Sequence, residues 1–367
     1  MKKYRYEYNT QKTSIHSVFE NSLFLDIETT GFGRASTFLT IIGLAWIEKD
    51  KVVMEQWLNE TGQQEEPLLV MELERFLKNK TELPRLIHYN GTTFDLPYLK
   101  AKYDQYHLPS SLVQCDSIDL YHLAKKYKSF LSLEGLKQKN LEECFGLFRE
   151  DKLSGQELIE TYLLAIRQQD THLLDAYLLH NKEDMEGMVF LLHLMKLDRI
   201  FHGDFEITEW AEAEDGLFIT IGLSGDFFLS RPIAVSIGQI HFTFEQDSIW
   251  IKIPICPMEA RFFYENYKDY YYLPLEDCAM HKSVASYVEK EYRRKATKET
   301  CYIKKTGSFL PLPLPDSLKL RKAVIKDCSN LPLFYQCYGD CTAYVLKDIS
   351  KEDEKKLYLT QLLHSIL

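Results

Sequence analysis

The stretch that most limits how this chain can fold is Phe24-Leu-Asp-Ile-Glu-Thr-Thr-Gly31. Apolar residues Leu23, Phe24 and Leu25 lead straight into two carboxylates two positions apart. Strand side chains alternate between faces, so Asp26 and Glu28 project from the same one. Gly31 then ends or bends the strand. Two acids side by side repel unless a cation lies between them. Hard divalent ions such as magnesium or manganese favour carboxylate oxygen. The stretch therefore predicts a metal-dependent site at a strand end, to which the rest of the chain must bring further ligands.

The bulk properties bound the partners. A chain of 367 residues suggests two domains or one large one. Its formal net charge of −10 excludes a whole-protein basic footprint. Nucleic-acid binding would then need a local basic patch or metal-bridged phosphates. The N-terminal Met-Lys-Lys-Tyr-Arg-Tyr has no apolar core behind it, so no signal peptide is expected. No stretch approaches the ~20 apolar residues of a membrane span, so no membrane partner is expected. Eight scattered cysteines read as reduced thiols of a cytoplasmic protein. Cys328, Cys337 and Cys341 lack the paired spacing of a zinc ribbon, and buried thiols are expected there instead.

Residues 22–59 read as three strands, the last two (Phe38 to Trp46 and Val52 to Leu58) pairing as a hairpin through the polar turn at 48–51. Pro67 opens a helical pattern with Leu69, Leu73, Phe76 and Leu77 on one face. Arg85 to Tyr89 is a short strand broken by Asn90-Gly91, and Phe94 to Tyr106 is helical. Leu112 to Cys115 reads as another strand, followed by helices near 117–127, 133–145, 155–168 and 172–198. This order gives a mixed sheet flanked by helices. From about Phe201 the pattern changes: 217–221, 240–244 and 249–253 alternate with period two, the last two as a hairpin. Leu310 to Pro315 reads as a polyproline-like connector, and Ser350 or Asp353 as the cap of a terminal helix burying Leu359, Leu362 and Leu363. The expected division is 1–200 and a β-rich α+β domain over 201–367.

Two further places could complete the acid site. Asp95 opens a helix that follows a strand, where a carboxylate could also simply complement the helix dipole. His180 and Asp184 are four apart in a helix and share a face. Lys182 and Glu183 mark an exposed surface there. Asp184, however, sits amid Leu178, Leu179, Met188 and Leu191, where burial without a partner is costly.

Together the three segments resemble the ribonuclease H-like exonucleases that carry four catalytic acids, the DEDD nucleases. Asp26-Ile-Glu28 is similar to the first motif, Asn90 through Asp95 to the second, and His180 through Asp184 to the third. Asp116 to Lys126 and Phe145 to Gly155 resemble, more narrowly, the YprB-like bacterial branch. The resemblance covers about residues 20–198 and implies a ribonuclease H-like fold: a three-stranded antiparallel meander plus parallel strands, flanked by helices. It implies a metal-dependent 3′–5′ exonuclease acting on single-stranded DNA or RNA with two Mg2+ or Mn2+ ions. Asp26, Glu28, Asp95 and Asp184 would hold the ions, Asp26 bridging them, and two such ions can clamp both the attacking and the leaving oxygen. One position departs from the pattern. A tyrosine is expected four residues before the last aspartate, or a histidine five before it; here His180 stands at the tyrosine spacing. Either it takes the base role from that position, for which an imidazole has the right pKa range, or the base is lost and the site is slow. Tyr177, seven residues before Asp184, shares that face two turns away.

Thr29 and Asn90 are expected contacts to the terminal nucleotide, and Asp119 reads as a helix cap, the alternative being a further acid near the metals. In the second domain, Arg293, Arg294 and Lys295 lie in a basic segment interleaved with tyrosines, suited to a phosphate backbone and stacked bases; the alternative is an ordinary solvated face. Two other functions compete with the nuclease: a non-catalytic nucleic-acid-binding module that keeps the fold, and, more remotely, an aspartate-nucleophile phosphatase using Asp26. The latter wants an aspartate where Glu28 stands.

Overall fold

The computed structural model describes residues 1–9, 21–48, 51–223 and 229–367. It forms two compact units, with Met1–Asp198 the body of the first and Pro232–Leu367 the body of the second.

The first unit is built on a six-stranded sheet. Its strands are β1 (Lys2–Asn9), β2 (Ser22–Thr29), β3 (Leu39–Glu48), β4 (Lys51–Leu58), β5 (Arg85–His88) and β6 (Ser117–Asp119), in the spatial order β1-β4-β3-β2-β5-β6. β1, β4, β3 and β2 pair antiparallel, while β5 and β6 run parallel to β2 and to each other. This is the ribonuclease H-like mixed sheet that the resemblance implies. β1 is an additional edge strand outside the expected meander. Its tyrosines alternate with charged residues, a pattern suited to an edge.

Side-chain alternation sends the two faces of β2 to different helix layers. Leu23, Leu25 and Ile27 pack with Ile42, Leu44 and Trp57 under α1 (Glu66–Lys78) and α2 (Asp95–Gln105). The opposite face, which carries Phe24, Asp26 and Glu28, meets a second helix layer. There Ile41 and Leu58 bury against Leu158 and Tyr162 of α5 (Gly155–Gln168) and Tyr177 and Leu178 of α6 (Thr171–Phe190). Two short helices, α3 (Leu120–Lys126) and α4 (Gln138–Cys144), complete this part of the chain. The acids of β2 therefore face α6 from the sheet.

Several expected elements are corrected. Residues 112–114 form a 3-10 turn, and the strand falls at Ser117–Asp119, where the backbone pairs with β5. The helix expected over 172–198 breaks at Leu191, and α7 (Leu192–Phe201) follows. Glu183 is not simply solvated: its carboxylate accepts the Glu150 and Asp151 amides at 2.8 and 2.9 Å.

In the second unit, β7 (Glu206–Ala213), β8 (Gly216–Gly222), β9 (Ile233–Ile237), β10 (Ile240–Phe244) and β11 (Ser248–Ile253) form an antiparallel sheet in the order β7-β8-β11-β10-β9. Ile219, Ile221, Phe242, Ile249 and Ile251 are buried, while Phe218 and Trp250 are exposed. Two three-stranded sheets follow. β12 (Cys256–Phe263), β16 (Tyr302–Pro313) and β17 (Thr342–Leu346) make one; β14 (Cys278–His281), β13 (Tyr270–Leu273) and β15 (Arg294–Lys295) make the other. The expected polyproline connector is the end of β16. Pro311 and Pro313 lie beyond Phe309, where the pairing with β12 stops, so the strand has only β17 beside it and tolerates the missing N–H groups. The terminal helix Glu352–His364 buries Leu359, Leu362 and Leu363, but its N-cap is Lys351, without a side-chain cap from Ser350 or Asp353. All eight cysteines are free thiols; Cys328 is buried, while Cys337 and Cys341 are exposed.

One buried ion pair anchors the loop after β2. Lys102 Nζ lies 3.1 Å from Glu66 Oε1, both side chains fully buried, and donates to the Thr37 carbonyl at 2.6 Å. Glu66 also accepts from the Leu39 amide at 2.8 Å and from the Tyr106 hydroxyl. Removing one member of such a pair leaves an uncompensated buried charge. Lys102→Met is expected to cost the first unit roughly 3–5 kcal/mol, read as a lower urea midpoint.

Candidate active site

β2 and β5 pair only from Ser22 to Phe24. Beyond that point β5 ends and the chain turns at Asn90, which adopts a left-handed φ of 60°, a conformation asparagine tolerates. The Ile27 amide is thereby released from the ladder, and Asp95 Oδ1 accepts it at 3.1 Å. A helix start is thus fixed against the strand that carries Asp26 and Glu28. Asp119 secures the turn: Oδ1 accepts from the Asn90 and Tyr121 amides at 2.8 and 3.0 Å, and Oδ2 from Thr92 at 3.2 Å. It is the N-cap of α3, as the sequence suggests.

From the other side α6 brings Asn181, His180 and Asp184. Asn181 is fully buried; its Nδ2 donates to Asp26 Oδ2 at 2.7 Å, and its Oδ1 accepts from Gln56 at 2.8 Å. Gly43, paired with Asp26 across the sheet, makes this possible. A Cβ there would stand 2.7 Å from the Asn181 amide oxygen. Asp184 Oδ1 accepts from Arg149 at 2.6 Å, and Arg149 also forks onto the buried Glu142 through two 2.6 Å bonds. Gly187 leaves room for Glu142, whose Oε1 a Cβ would meet at 1.7 Å.

His180 joins the acids directly. Its Nε2 lies 3.2 Å from Asp184 Oδ2 and 3.8 Å from Glu28 Oε1, while Nδ1 is 2.6 Å from Asp151 Oδ2. The donor atoms of Glu28, His180 and Asp184 all lie within 4.8 Å of one another. Beside them opens a cleft of about 490 Å³, lined by Asp26, Glu28, Asp95, Phe32, Tyr89 and Asn90 among others. Phe32, 87% exposed, meets Phe94 edge-on at 5.7 Å.

The electrostatics reflect crowding. Burial, then repulsion from Asp184, Asp95 and Glu28, drives Asp26 well above the usual carboxylate range, against the Asn181 hydrogen bond. Burial pushes Glu28 up to about 8, with His180 opposing and the neighbouring acids adding to it. Asp95 is raised to about 7 by burial, although the Ile27 amide favours its charged form. For His180, burial disfavours the cation, but Asp184, Glu28 and Asp151 outweigh it and the imidazole titrates above its ordinary value. A set of acids that hold protons so strongly is deficient in positive charge, which is what a divalent ion supplies. The donor set, mostly carboxylate oxygen, fits such an ion.

Residues 23–197 match the family model of the RNase_H superfamily. The match falls within the first unit, whose mixed sheet has the ribonuclease H-like fold. The chain is 29% identical over 181 residues to the uncharacterized protein YprB of Bacillus subtilis, covering 48% of this chain and 42% of that protein, so it spans less than half of that relative's length. Among solved structures, a family B DNA polymerase of the archaeon Pyrobaculum calidifontis is 13% identical with a TM-score of 0.38, covering 94% of this chain and 46% of that one. The zinc-bound complex of E. coli ExoI with single-stranded DNA is 11% identical with a TM-score of 0.30, covering 55% and 54%.

Within the ribonuclease H-like domain, Asp26, Glu28, Asp95 and Asn90 line one cleft, and His180 and Asp184 meet Glu28. Thr29 does not line it: it is buried, and its hydroxyl donates to the Gly31 carbonyl at 2.8 Å. Tyr177 is also occupied elsewhere, its hydroxyl bonded to Thr40 in the core. Arg293, Arg294 and Lys295 belong to the second unit, at and just before the exposed strand β15. Sequence reasoning missed Asn181, Glu142 and Asp151, and gave Arg149 no role of its own. Asn181 carried a signal: it is a polar residue on the apolar stripe of Tyr177, Leu178, Met185 and Met188.

The raised carboxyls make a pH expectation. A carboxyl whose folded value exceeds its unfolded value of about 4 keeps its proton longer in the folded state. Between about pH 4 and the folded values of about 7 for Asp95 and about 8 for Glu28, the folded form holds more protons. Their contribution to stability, complete at low pH, is lost as pH rises through that window. In chelator, the melting temperature of the ribonuclease H-like domain should therefore fall from acid toward pH ~8. Manganese should raise it, and more so at the alkaline end, where it competes with fewer protons.

Proposed function

We propose that this protein is a metal-dependent nuclease, a 3′–5′ exonuclease of single-stranded nucleic acid. The observation that carries the reading is the convergence of Asp26, Glu28 and Asp95 on one cleft, with Asp184 meeting Glu28 beside it, from a strand and two helices of a ribonuclease H-like fold. The direction of attack comes from the family resemblance.

Asp26, Glu28, Asp95 and Asp184 would hold two divalent ions, magnesium or manganese. Such ions supply charge for the attacking and leaving oxygens of an in-line displacement. The chain's own residues set the stage. Asn181 fixes the orientation of Asp26, the Ile27 amide that of Asp95, and Arg149 takes one oxygen of Asp184 and leaves the other facing His180. Phe32 offers an exposed aromatic face at the cleft, where a terminal base could stack. Asn90 lines the same cleft, with its Oδ1 accepting from Thr93. Water adds across the P–O3′ bond: the released nucleotide keeps the phosphate and the shortened strand regains a 3′-hydroxyl. Single-stranded DNA and single-stranded RNA are both candidate substrates.

Asp26→Asn is expected to abolish release of nucleotides from end-labelled single strands in manganese while leaving the circular-dichroism spectrum unchanged. Chelator should do the same to the unaltered protein. Binding without turnover in the unaltered protein would instead favour the non-catalytic module.

The second unit is proposed to grip the substrate backbone through Arg293, Arg294 and Lys295. Arg293 lies over Tyr271 at 4.9 Å, and Tyr287 and Tyr292 are exposed nearby in sequence. Reversing the three charges should weaken single-strand binding. It should also flatten the dependence of log affinity on log salt by about 0.7 per lost phosphate contact. An unchanged slope would remove this segment from the interface.

A further inference from the structure

We infer that His180 is a metal ligand through Nε2, that Glu28 and Asp184 share the ion with it, and that this donor set favours manganese over magnesium. The inference rests on the nuclease reading of the same site, and it replaces the general-base role expected of His180.

The geometry is that of a ligand set. Nε2, Asp184 Oδ2 and Glu28 Oε1 lie within 4.8 Å of one another, with Nε2 at 3.2 Å from the first oxygen and 3.8 Å from the second. When Nδ1 donates its hydrogen to Asp151 at 2.6 Å, a neutral ring keeps its lone pair on Nε2. That lone pair then faces two carboxylate oxygens at 3.2 and 3.8 Å, an arrangement that needs either a proton or a cation among them, and a divalent ion takes the place of the proton. A group that takes a proton from water needs its lone pair turned to water. Here it is turned to the oxygens that would share an ion.

The supports behind these donors point the same way. Metal-bound imidazoles commonly donate their second N–H to a carboxylate, which fixes the ring and raises its donor strength. Asp151 is placed for that task from two sides. Its amide and that of Glu150 are held by Glu183 at 2.9 and 2.8 Å, and its Oδ1 accepts from Leu153 at 3.1 Å, leaving Oδ2 for His180. Arg149 likewise takes Asp184 Oδ1 and leaves Oδ2. Imidazole nitrogen suits manganese and later transition metals better than magnesium, which prefers oxygen and water.

The test is pulsed electron paramagnetic resonance of the full-length protein loaded with Mn2+, read for coupling to a directly bound 14N nucleus. Affinities for Mn2+ and Mg2+ are measured by calorimetry alongside. Unaltered protein should show the nitrogen coupling. In His180→Gln the coupling should vanish, and manganese affinity should fall roughly tenfold while magnesium affinity changes much less. His180→Asp, a second variant, should bind the ion again without the nitrogen signal. Asp151→Ala should weaken manganese binding by about 10–100-fold, and Asp151→Asn, which still accepts from Nδ1, should recover part of it. Bound manganese with no nitrogen coupling, in protein that releases nucleotides, overturns the ligand role and leaves the nuclease reading standing. Nitrogen-coupled manganese in protein that releases none does the reverse. A protein that binds no manganese overturns both.

Discussion

Mutual repulsion among Asp26, Glu28, Asp95 and Asp184 is the constraint on which the site of this molecule depends. Carboxylates brought this close, and shielded from water, raise one another's proton affinity. The fold does not relieve that crowding by spreading the acids apart. It holds Asp26, Asp95 and Asp184 from behind with a hydrogen bond or ion pair that fixes direction, while Glu28 faces His180. One backbone amide, one side-chain amide and one guanidinium serve three of the four. Only the guanidinium brings charge, so the cluster stays short of cations until an ion arrives.

These supports are themselves supported, and that explains some otherwise unremarkable residues. Asn181 can reach Asp26 because Gly43 has no side chain, and Gln56 holds its far end. Arg149 can reach Asp184 because Glu142 anchors the guanidinium, and Glu142 fits because Gly187 is bare. A buried polar network of this kind is favourable only when each member is satisfied. Its economy is also its weakness, since an added methyl at either glycine would displace the anchor.

Much of the architecture was legible beforehand because its signals are local. The apolar run into Asp26, the hairpin of β3 and β4, and the helical faces of α1 and α5 all follow from periodicity within a few turns or residues. Asp119 as a cap was likewise a local reading. The misread stretches lacked such a signal or carried two. Leu112 to Cys115 is apolar enough for a strand, yet the backbone that pairs with β5 comes two residues later. The prolines at the end of β16 looked incompatible with a sheet, and become compatible only because β12 stops short of them. β1 was passed over, although its alternating tyrosines were in plain view.

The sequence by itself determined that two acids would share a strand face, that a third would open a helix and that a histidine and a fourth acid would share a helical turn. Those relations depend on fixed geometry over five residues or fewer. Only the tertiary structure decided that the three places would meet, and that Asn181, Arg149 and Asp151 would stand behind them. Such contacts join residues up to 155 positions apart. No local preference encodes them; they exist because the sheet and its helices bury their apolar faces together and carry the polar groups along.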